Sequence, residues 1–249
     1  MPHSRVIAII PARYASSRFP GKLLATVLGK SVLQRTYEST LACKALDDVI
    51  IAADDERIIE HVQQFGGRAV MTSSSCLTGT DRIIEALVRY PEITQADIIV
   101  NVQGDEPCIA KSTIKAVIDV MHQDPSQVMA TAVVKITNPA DALNPSVVKC
   151  VMNQNGEALY FSRSPIPGVK PGNPAPTYFQ HLGIYAFRRE FLLKYGTLPM
   201  TPLQITEDLE QLKVIEAGYK IKIVHAEGTS PHVDVPEDIQ KVTNWLYNH

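Results

Sequence analysis

The chain has 249 residues, with 24 Lys and Arg against 26 Asp and Glu, and 45% of its residues are hydrophobic. This composition is typical of a globular protein and excludes an intrinsically disordered chain. The formal net charge is only −2, whereas proteins that hold nucleic acid or acidic membrane surfaces carry a basic excess. We therefore expect neither nucleic acid nor a membrane as a partner.

Cysteine spacing and apolar run lengths indicate the cellular compartment. Cys43, Cys76, Cys108 and Cys150 form no CxxC pair, so the sequence predicts neither a zinc knuckle nor a dithiol redox motif. The apolar run at 6–10 is too short for a signal peptide. No run approaches the roughly 20 apolar residues of a membrane-spanning helix. We expect a cytoplasmic protein.

The first half of the chain alternates apolar runs with helical patterns. Strands are predicted at 6–10, 49–52, 69–71 and 98–102, and helices after Ser31 and at 57–65, 81–90 and 112–122. This alternation predicts an α/β fold whose central parallel sheet has right-handed crossovers. A further strand is predicted at 130–136.

The pattern changes after residue 138. Seven prolines fall within 138–176, together with short apolar runs at 147–152 and 158–161, which predict an antiparallel insert with a loop. The later predicted strands, at 181–187 and 220–224, return to the sheet. The later predicted helices lie at 189–195, 206–217 and 236–247. We therefore expect one domain over 1–249 with an inserted subdomain at about 138–178.

The loop after the first predicted strand is rich in cations. Arg13, Arg18 and Lys22 lie within ten residues, beside Ser16 and Ser17. A doubly wound sheet binds its ligand at this end of its strands, and Arg and Lys suit phosphate groups. The loop contains neither a Walker A motif nor GxGxxG. A polyphosphate site is the functional interpretation, and a solvated surface loop is the alternative.

The stretch PARYASSRFPGK at 11–22 resembles the opening motif of the nucleoside-sugar cytidylyltransferases. The segments NVQGDEP at 101–107, FSR at 161–163, HLGIY at 181–185 and LEQL at 209–212 follow in the order seen in the 3-deoxy-manno-octulosonate (Kdo) cytidylyltransferases. The opening motif alone would also fit the CMP-sialate synthetases. The resemblance covers nearly the whole chain.

This resemblance implies a fold and an activity. The implied fold is the three-layer Rossmann-like nucleotide-diphospho-sugar transferase fold, with a mostly parallel central sheet and an inserted antiparallel subdomain. The implied reaction transfers CMP from CTP to the anomeric hydroxyl of Kdo and releases pyrophosphate, for lipopolysaccharide biosynthesis. Family members form dimers through the insert, so a homodimer is expected.

The resemblance also implies roles for individual residues. Asp105 and Asp234 would hold Mg²⁺, which prefers carboxylate oxygen, and Lys22 would act with them in catalysis. The implied nucleotide-binding residues are Arg13, Arg18, Lys22, Thr78, Gly79, Thr80, Arg82 and Gln103. The implied sugar-acid residues are Arg163, His181, Tyr185, Glu207 and Glu210.

Structural alternatives accompany several of these assignments. Asp105 could be a turn residue and Asp234 a helix N-cap, and Thr80 or Asp81 could cap a helix. His181 could be a packed, satisfied side chain at the sheet edge. Glu207 and Glu210 are predicted to share one helix face because they lie three residues apart, and a solvated face is the alternative there.

Three departures from the family pattern bear on specificity. Cys76 and Leu77 replace a His and a polar residue, the loop at 168–178 lacks a frequent Arg-Asp pair, and Gln204 stands where an acid is common. The nearest rival function is the same reaction on sialate or 8-amino-3,8-dideoxy-Kdo. The rivals of another class are a glycosyltransferase, for which a DxD motif is missing, and a non-catalytic sugar-nucleotide binder.

Overall fold

A mostly parallel sheet forms the centre of the structure, a computed structural model that describes residues 4–16, 18–92 and 94–248. Its strands are β1 (Val6–Ala12), β4 (Asp48–Ala53), β5 (Ala69–Met71), β6 (Ile98–Asn101), β7 (Met129–Lys135), β10 (Phe179–Arg188) and β11 (Lys222–His225). They lie in the order β11-β7-β10-β6-β1-β4-β5, and within this order only β10 is antiparallel to its neighbours. The predicted α/β class with a mostly parallel sheet is confirmed.

Helices cover both faces of this sheet. They are α1 (Val32–Leu41), α2 (Glu56–Gln64), α3 (Gly79–Arg89), α4 (Lys111–Gln123), α5 (Pro139–Leu143), α6 (Arg189–Tyr195), α7 (Pro202–Glu207), α8 (Leu212–Glu216) and α9 (Asp238–Asn248). Alternate residues of β1 point to opposite faces, so Ala8 packs in the core with α1, α2, α4 and α9, and Ile9 packs in the core with α3, α6 and α8. Burial on both faces explains the continuous apolar run of β1 and gives the three layers.

The insert is a small antiparallel unit attached to β10. Its strands β8 (Lys149–Met152) and β9 (Ala158–Ser162) pair with each other. β8 also pairs with β10 at Lys149 and Gln180. The insert therefore joins the main sheet through β10, an internal strand that also pairs with β7 and β6. No helix in the described part of the chain is long and apolar enough to cross a membrane.

One predicted helix is wrong. The segment predicted as a single helix at 206–217 contains the end of α7 and the separate helix α8. Asp208 follows α7 with φ of 51°, a left-handed conformation that ends the helix. Glu207 and Glu210 therefore do not share a helix face, and their side chains have different partners.

Two short elements were not predicted. The strands β2 (Thr26–Val27) and β3 (Lys30–Ser31) form a short antiparallel hairpin just after a 3₁₀ helix at Lys22–Leu24. The Pro-rich start of the insert forms α5, which Asn138 caps through its side chain. Both elements are too short to show a periodic apolar pattern.

Candidate active site

Two cavities open at the carboxyl ends of β1 and β6, which are neighbours in the sheet. The smaller has a volume of about 270 Å³ and includes Arg13 and Lys22 in its lining. The larger has a volume of about 860 Å³ and includes Asp234, Arg163 and residues of β10. Gly79, Gln103 and Asp105 line both cavities. Groups bound in the two cavities would therefore meet at these shared residues.

Close backbone packing brings the two strand ends together. A Cβ atom at Gly104 would lie 3.0 Å from the carbonyl oxygen of Pro11, and one at Gly79 would lie 3.0 Å from Cγ of Pro11. Both distances are shorter than ordinary carbon contacts allow. Glycine at these positions lets the loop after β6 and the start of α3 approach the end of β1.

Lys22 links the two acids that were predicted to bind metal. Its Nζ lies 2.5 Å from Oδ2 of Asp105 and 3.4 Å from Oδ1 of Asp234, and it donates to the carbonyl of Val233 at 3.0 Å. Arg18 also donates to Asp234, at 3.1 Å. Residues far apart in sequence thus form one cluster of opposite charges where the cavities meet.

The two carboxylates are suited to a metal that shares its ligands with a substrate. Among the described residues, no group of three or more His, Cys, Asp or Glu side chains is arranged to hold a metal ion. Mg²⁺ commonly binds through only one or two carboxylates and takes its other oxygens from substrate phosphates and water. Asp105 and Asp234 satisfy this requirement as a pair.

Glu106 is an acid beside this cluster that sequence reasoning missed. It lines the larger cavity. Burial and, after it, the negative charges of Asp105 and Asp234 raise the pKa of Glu106 to about 8. Its position next to Asp105 in the GDEP segment was the signal that could have identified it.

The start of α3 forms one wall of the smaller cavity. Thr78 is its N-cap: the Thr78 side chain accepts from the backbone of Asp81, and the Asp81 side chain accepts from the backbone of Thr78. The capping alternative therefore holds for Asp81 and not for Thr80, and the N-cap itself is Thr78, for which only a nucleotide role was predicted. Thr80 instead donates its hydroxyl to Glu210 at 2.9 Å.

Arg82 is held inside the protein beside the smaller cavity. Its guanidinium donates to Asp54 at 3.0 Å, to the Thr72 hydroxyl at 2.8 Å and to the carbonyl of Ser73 at 3.1 Å. Asp54 also accepts from the backbone of Tyr14 at 2.9 Å. Arg82 thus connects α3 to the start of the cationic loop. Arg13 is exposed and lines the same cavity, whereas Ser17 lies outside the described residues.

Both residues of the first departure, Cys76 and Leu77, line the smaller cavity. The thiol of Cys76 donates to Glu85 at 3.0 Å. Burial, followed by this contact with Glu85, raises the pKa of Cys76 to about 11, so the thiol stays protonated near neutral pH. The side chain of Leu77 is 83% exposed. Gln204, the third departure, lies in α7 and lines neither cavity.

His181 and Tyr185 of β10 form part of the larger cavity. The Nε2 atom of His181 lies 3.0 Å from the Thr131 hydroxyl, which itself donates to the carbonyl of Ile184 at 2.7 Å. A hydroxyl has one proton, so Nε2 is the donor to Thr131 and Nδ1 is the acceptor nitrogen. Burial lowers the pKa of His181 to about 3, which keeps the ring neutral.

Glu210 and Gln211 add unpaired polar atoms to the same cavity. One oxygen of Glu210, Oε2, and the amide nitrogen of Gln211 are buried without a hydrogen-bond partner among the described residues. Burial raises the pKa of Glu210. Tyr185 donates to the other end of the Gln211 amide at 3.2 Å. Gln211 was not predicted, although it lies inside the LEQL segment.

Arg163 lines the larger cavity, whereas Glu207 lines neither. Glu207 accepts from the Ser162 hydroxyl at 2.6 Å and from the backbone of Arg163 at 2.9 Å. Burial raises the pKa of Glu207, but the hydrogen bonds from Arg163 and Ser162 together outweigh burial, so the net shift of the pKa is downward. The structure therefore gives Glu207 a role in anchoring β9 and does not bring it to the cavity.

Comparison with known proteins identifies a family. The family model described as Cytidylyltransferase matches residues 7–223. The 3-deoxy-manno-octulosonate cytidylyltransferase of Protochlamydia amoebophila is 52% identical over 97% of this chain and 94% of its own length. The enzyme of that name from Chlamydia trachomatis serovar A is 47% identical over 98% of this chain and 94% of its own.

A solved structure shows the same architecture. CMP:2-keto-3-deoxy-manno-octonic acid synthetase complexed with CTP superposes with a TM-score of 0.93 at 40% identity. The match covers 98% of this chain and 99% of that one. The fold that the resemblance implied is confirmed.

Proposed function

Because the chain belongs to the cytidylyltransferase family, we propose that it transfers CMP from CTP to the anomeric hydroxyl of Kdo and releases pyrophosphate. Its relatives, 52% and 47% identical over nearly the full length, carry the name of this activity. The observation that carries the proposal is the cluster of Lys22, Asp105 and Asp234 where the two cavities meet. The product would serve lipopolysaccharide biosynthesis in the cytoplasm.

The smaller cavity is the proposed site of the nucleotide. Arg13 and Lys22 present cations to it, and Arg18 stands beside Lys22 at Asp234. The Lys22 ammonium would meet the negative charge that grows on the pyrophosphate as its bond to the α-phosphate breaks. Thr78, Gly79 and Arg82, on the wall formed by α3, would hold the pyrimidine.

The larger cavity is the proposed site of the sugar acid. Its volume of about 860 Å³ accommodates an eight-carbon sugar. The neutral ring of His181 and the unpaired atoms of Glu210 and Gln211 suit hydroxyl groups, and the guanidinium of Arg163 suits a carboxylate. The shared residues Gln103 and Asp105 would then lie between the anomeric hydroxyl and the α-phosphate.

Asp105 and Asp234 are the residues that would hold Mg²⁺. When bound, the cation would neutralise phosphate and sugar carboxylate charge and so lower the repulsion between the two substrates. Lys22 and Arg18 keep both carboxylates in place within hydrogen-bond reach. The protein thereby supplies an acidic pair beside two cations.

Exposed apolar side chains support a homodimer formed through the insert. Leu143, Leu159 and Val169 are 72%, 56% and 44% exposed. A dimer contact at the insert would cover these side chains. The mass of the protein in solution tests this part of the proposal.

A pyrophosphate-release assay tests the reaction and its sugar. CTP and Mg²⁺ are supplied with Kdo, 8-amino-3,8-dideoxy-Kdo or sialate in parallel. We expect turnover that depends on CTP and is fastest with Kdo. A preference for either analogue would replace the sugar in the proposal, and binding of CTP without turnover on any of the three would indicate a non-catalytic binder.

A further inference from the structure

Lys149 is a lysine with no exposed surface. It begins β8, and its relative exposure is 0%. Its ammonium donates to the carbonyl oxygens of Asn144 at 3.0 Å and Val147 at 2.6 Å, and also to that of Arg163. Burial lowers the pKa of Lys149. None of the roles proposed above uses this residue.

A buried ammonium needs a compensating environment. Among the described residues, no carboxylate forms a salt bridge with Lys149, although the charge of Glu207 favours its ionised form. Taking a charge out of water is costly unless hydrogen bonds or an opposite charge replace the solvent. The three carbonyls do this, and one of them belongs to Arg163. An apolar side chain would leave these carbonyls without their donor, so the task of the ammonium is to hold this part of the main chain in place.

That task concerns Arg163, whose main chain is held from both sides. Lys149 donates to its carbonyl, and Glu207 accepts from its N–H at 2.9 Å. The guanidinium donates to the carbonyls of Glu207 at 2.7 Å, Pro145 at 3.2 Å and Asp208 at 3.3 Å. These bonds use three of the five N–H donors of a guanidinium. The Arg163 side chain remains 37% exposed where it lines the larger cavity.

We propose that Lys149 and Glu207 are positioning residues that fix the Arg163 guanidinium at the larger cavity for the carboxylate of the sugar acid. This inference rests on the proposed function, because it needs Arg163 to meet that carboxylate. Fixed donors lose less conformational freedom on binding than mobile ones do. The buried ammonium and the carboxylate of Glu207 would therefore act on the affinity for the sugar and not on that for the nucleotide.

A double-mutant cycle tests the inference. Lys149→Met removes the ammonium and keeps an unbranched side chain, and Arg163→Ala removes the guanidinium. Lys222→Met is the matched control, because Lys222 also donates to a backbone carbonyl of the insert, that of Asn155. The measured quantities are KM for the sugar acid, KM for CTP, kcat and the melting temperature.

We expect Lys149→Met to raise KM for the sugar acid about tenfold, a coupling usual for residues in direct contact, and to leave KM for CTP unchanged. In the Arg163→Ala background, Lys149→Met should have no further effect on KM for the sugar. Lys222→Met should leave both KM values unchanged. This dependence on Arg163 separates positioning from general stability.

The failures are distinguishable. If Arg163→Ala alone leaves KM for the sugar acid unchanged, the carboxylate role in the proposed function is wrong and the inference falls with it. If Arg163→Ala raises that KM but Lys149→Met raises it equally in both backgrounds, or only lowers the melting temperature, the inference alone is overturned. Should Lys149→Met fail to fold, Glu207→Gln takes its place in the same cycle with the same criteria.

Discussion

The neutral state of His181 has a measurable consequence for stability at acid pH. Its ring packs against the rings of Phe161 and Tyr185, with centroid distances of 4.9 Å and 5.5 Å. Burial lowers its pKa from 6.5 to about 3. The unfolded chain therefore takes up a proton at His181 near pH 6.5, whereas the folded protein takes it up only near pH 3. The contribution of His181 to the free energy of unfolding is therefore unaffected above pH 6.5 and decreases as the pH falls from 6.5 towards 3.

The size of this effect follows from proton linkage. At pH 5, about 1.5 units below the unfolded pKa, the free energy of unfolding should be lower by about 2 kcal/mol, since each unit corresponds to about 1.4 kcal/mol. Between pH 5 and 4 a further loss of about 1.4 kcal/mol is expected. Glu106 acts in the opposite direction, because its pKa is raised to about 8, so a comparison with a variant is needed.

His181→Gln provides that comparison, because its amide can donate to Thr131 as Nε2 of His181 does but does not titrate. Urea unfolding of both proteins at pH 7.5 and pH 5 should show that wild type loses about 2 kcal/mol more than the variant. His225→Gln, at an exposed histidine 5.2 Å from the Phe179 ring, is the control and should behave as wild type. Equal losses in wild type and His181→Gln, or an NMR signal assigned to the His181 imidazole that titrates near pH 6.5, would refute the reasoning.

The other predictions concern catalysis. Asp105→Asn and Asp234→Asn should each lower kcat by a factor of about 10² or more, since an amide supplies no charge for Mg²⁺; near-normal turnover at limiting Mg²⁺ would remove that acid from the metal site. Lys22→Ala should weaken binding of CTP and leave that of CMP nearly unchanged in calorimetry, and equal losses would place Lys22 at the nucleoside or α-phosphate. Arg163→Lys should raise KM for Kdo and leave KM for CTP unchanged, because an ammonium lacks the planar pair of donors; a normal KM with a lower melting temperature would contradict the sugar role.

Long, strongly patterned elements could be predicted from the sequence. The apolar run at 6–10 is β1, extended by two residues at its carboxyl end. The pattern at 57–65 corresponds to α2, which Asp55 caps. These elements are encoded locally, by burial on two sheet faces and by capping side chains. Position along the chain then predicted that the loop after β1 would line a cavity, as it does.

Interactions between distant residues could not be predicted. The spacing of Glu207 and Glu210 predicted a shared helix face. The left-handed conformation of Asp208 separates them, so Glu207 bonds to the insert and Glu210 bonds to α3. No sequence pattern signals that Asp208, which is not a glycine, adopts this conformation. Lys149 was also missed, because burial of its ammonium depends on carbonyls that the folding of the insert supplies.

In the cluster where the cavities meet, protein cations and Mg²⁺ would compete for the same two carboxylates. Lys22 donates to Asp105 and Asp234, and Arg18 also donates to Asp234, so the same carboxylate oxygens cannot fully serve these cations and Mg²⁺ together. Phosphate groups that attract Lys22 would release the carboxylates for the metal. Nucleotide and metal should therefore bind interdependently. In titrations of the protein with Mn²⁺ alone, Lys22→Ala should strengthen metal binding, whereas Lys30→Ala, which removes an exposed partner of Glu38, should not; weaker Mn²⁺ binding by Lys22→Ala would contradict this exchange.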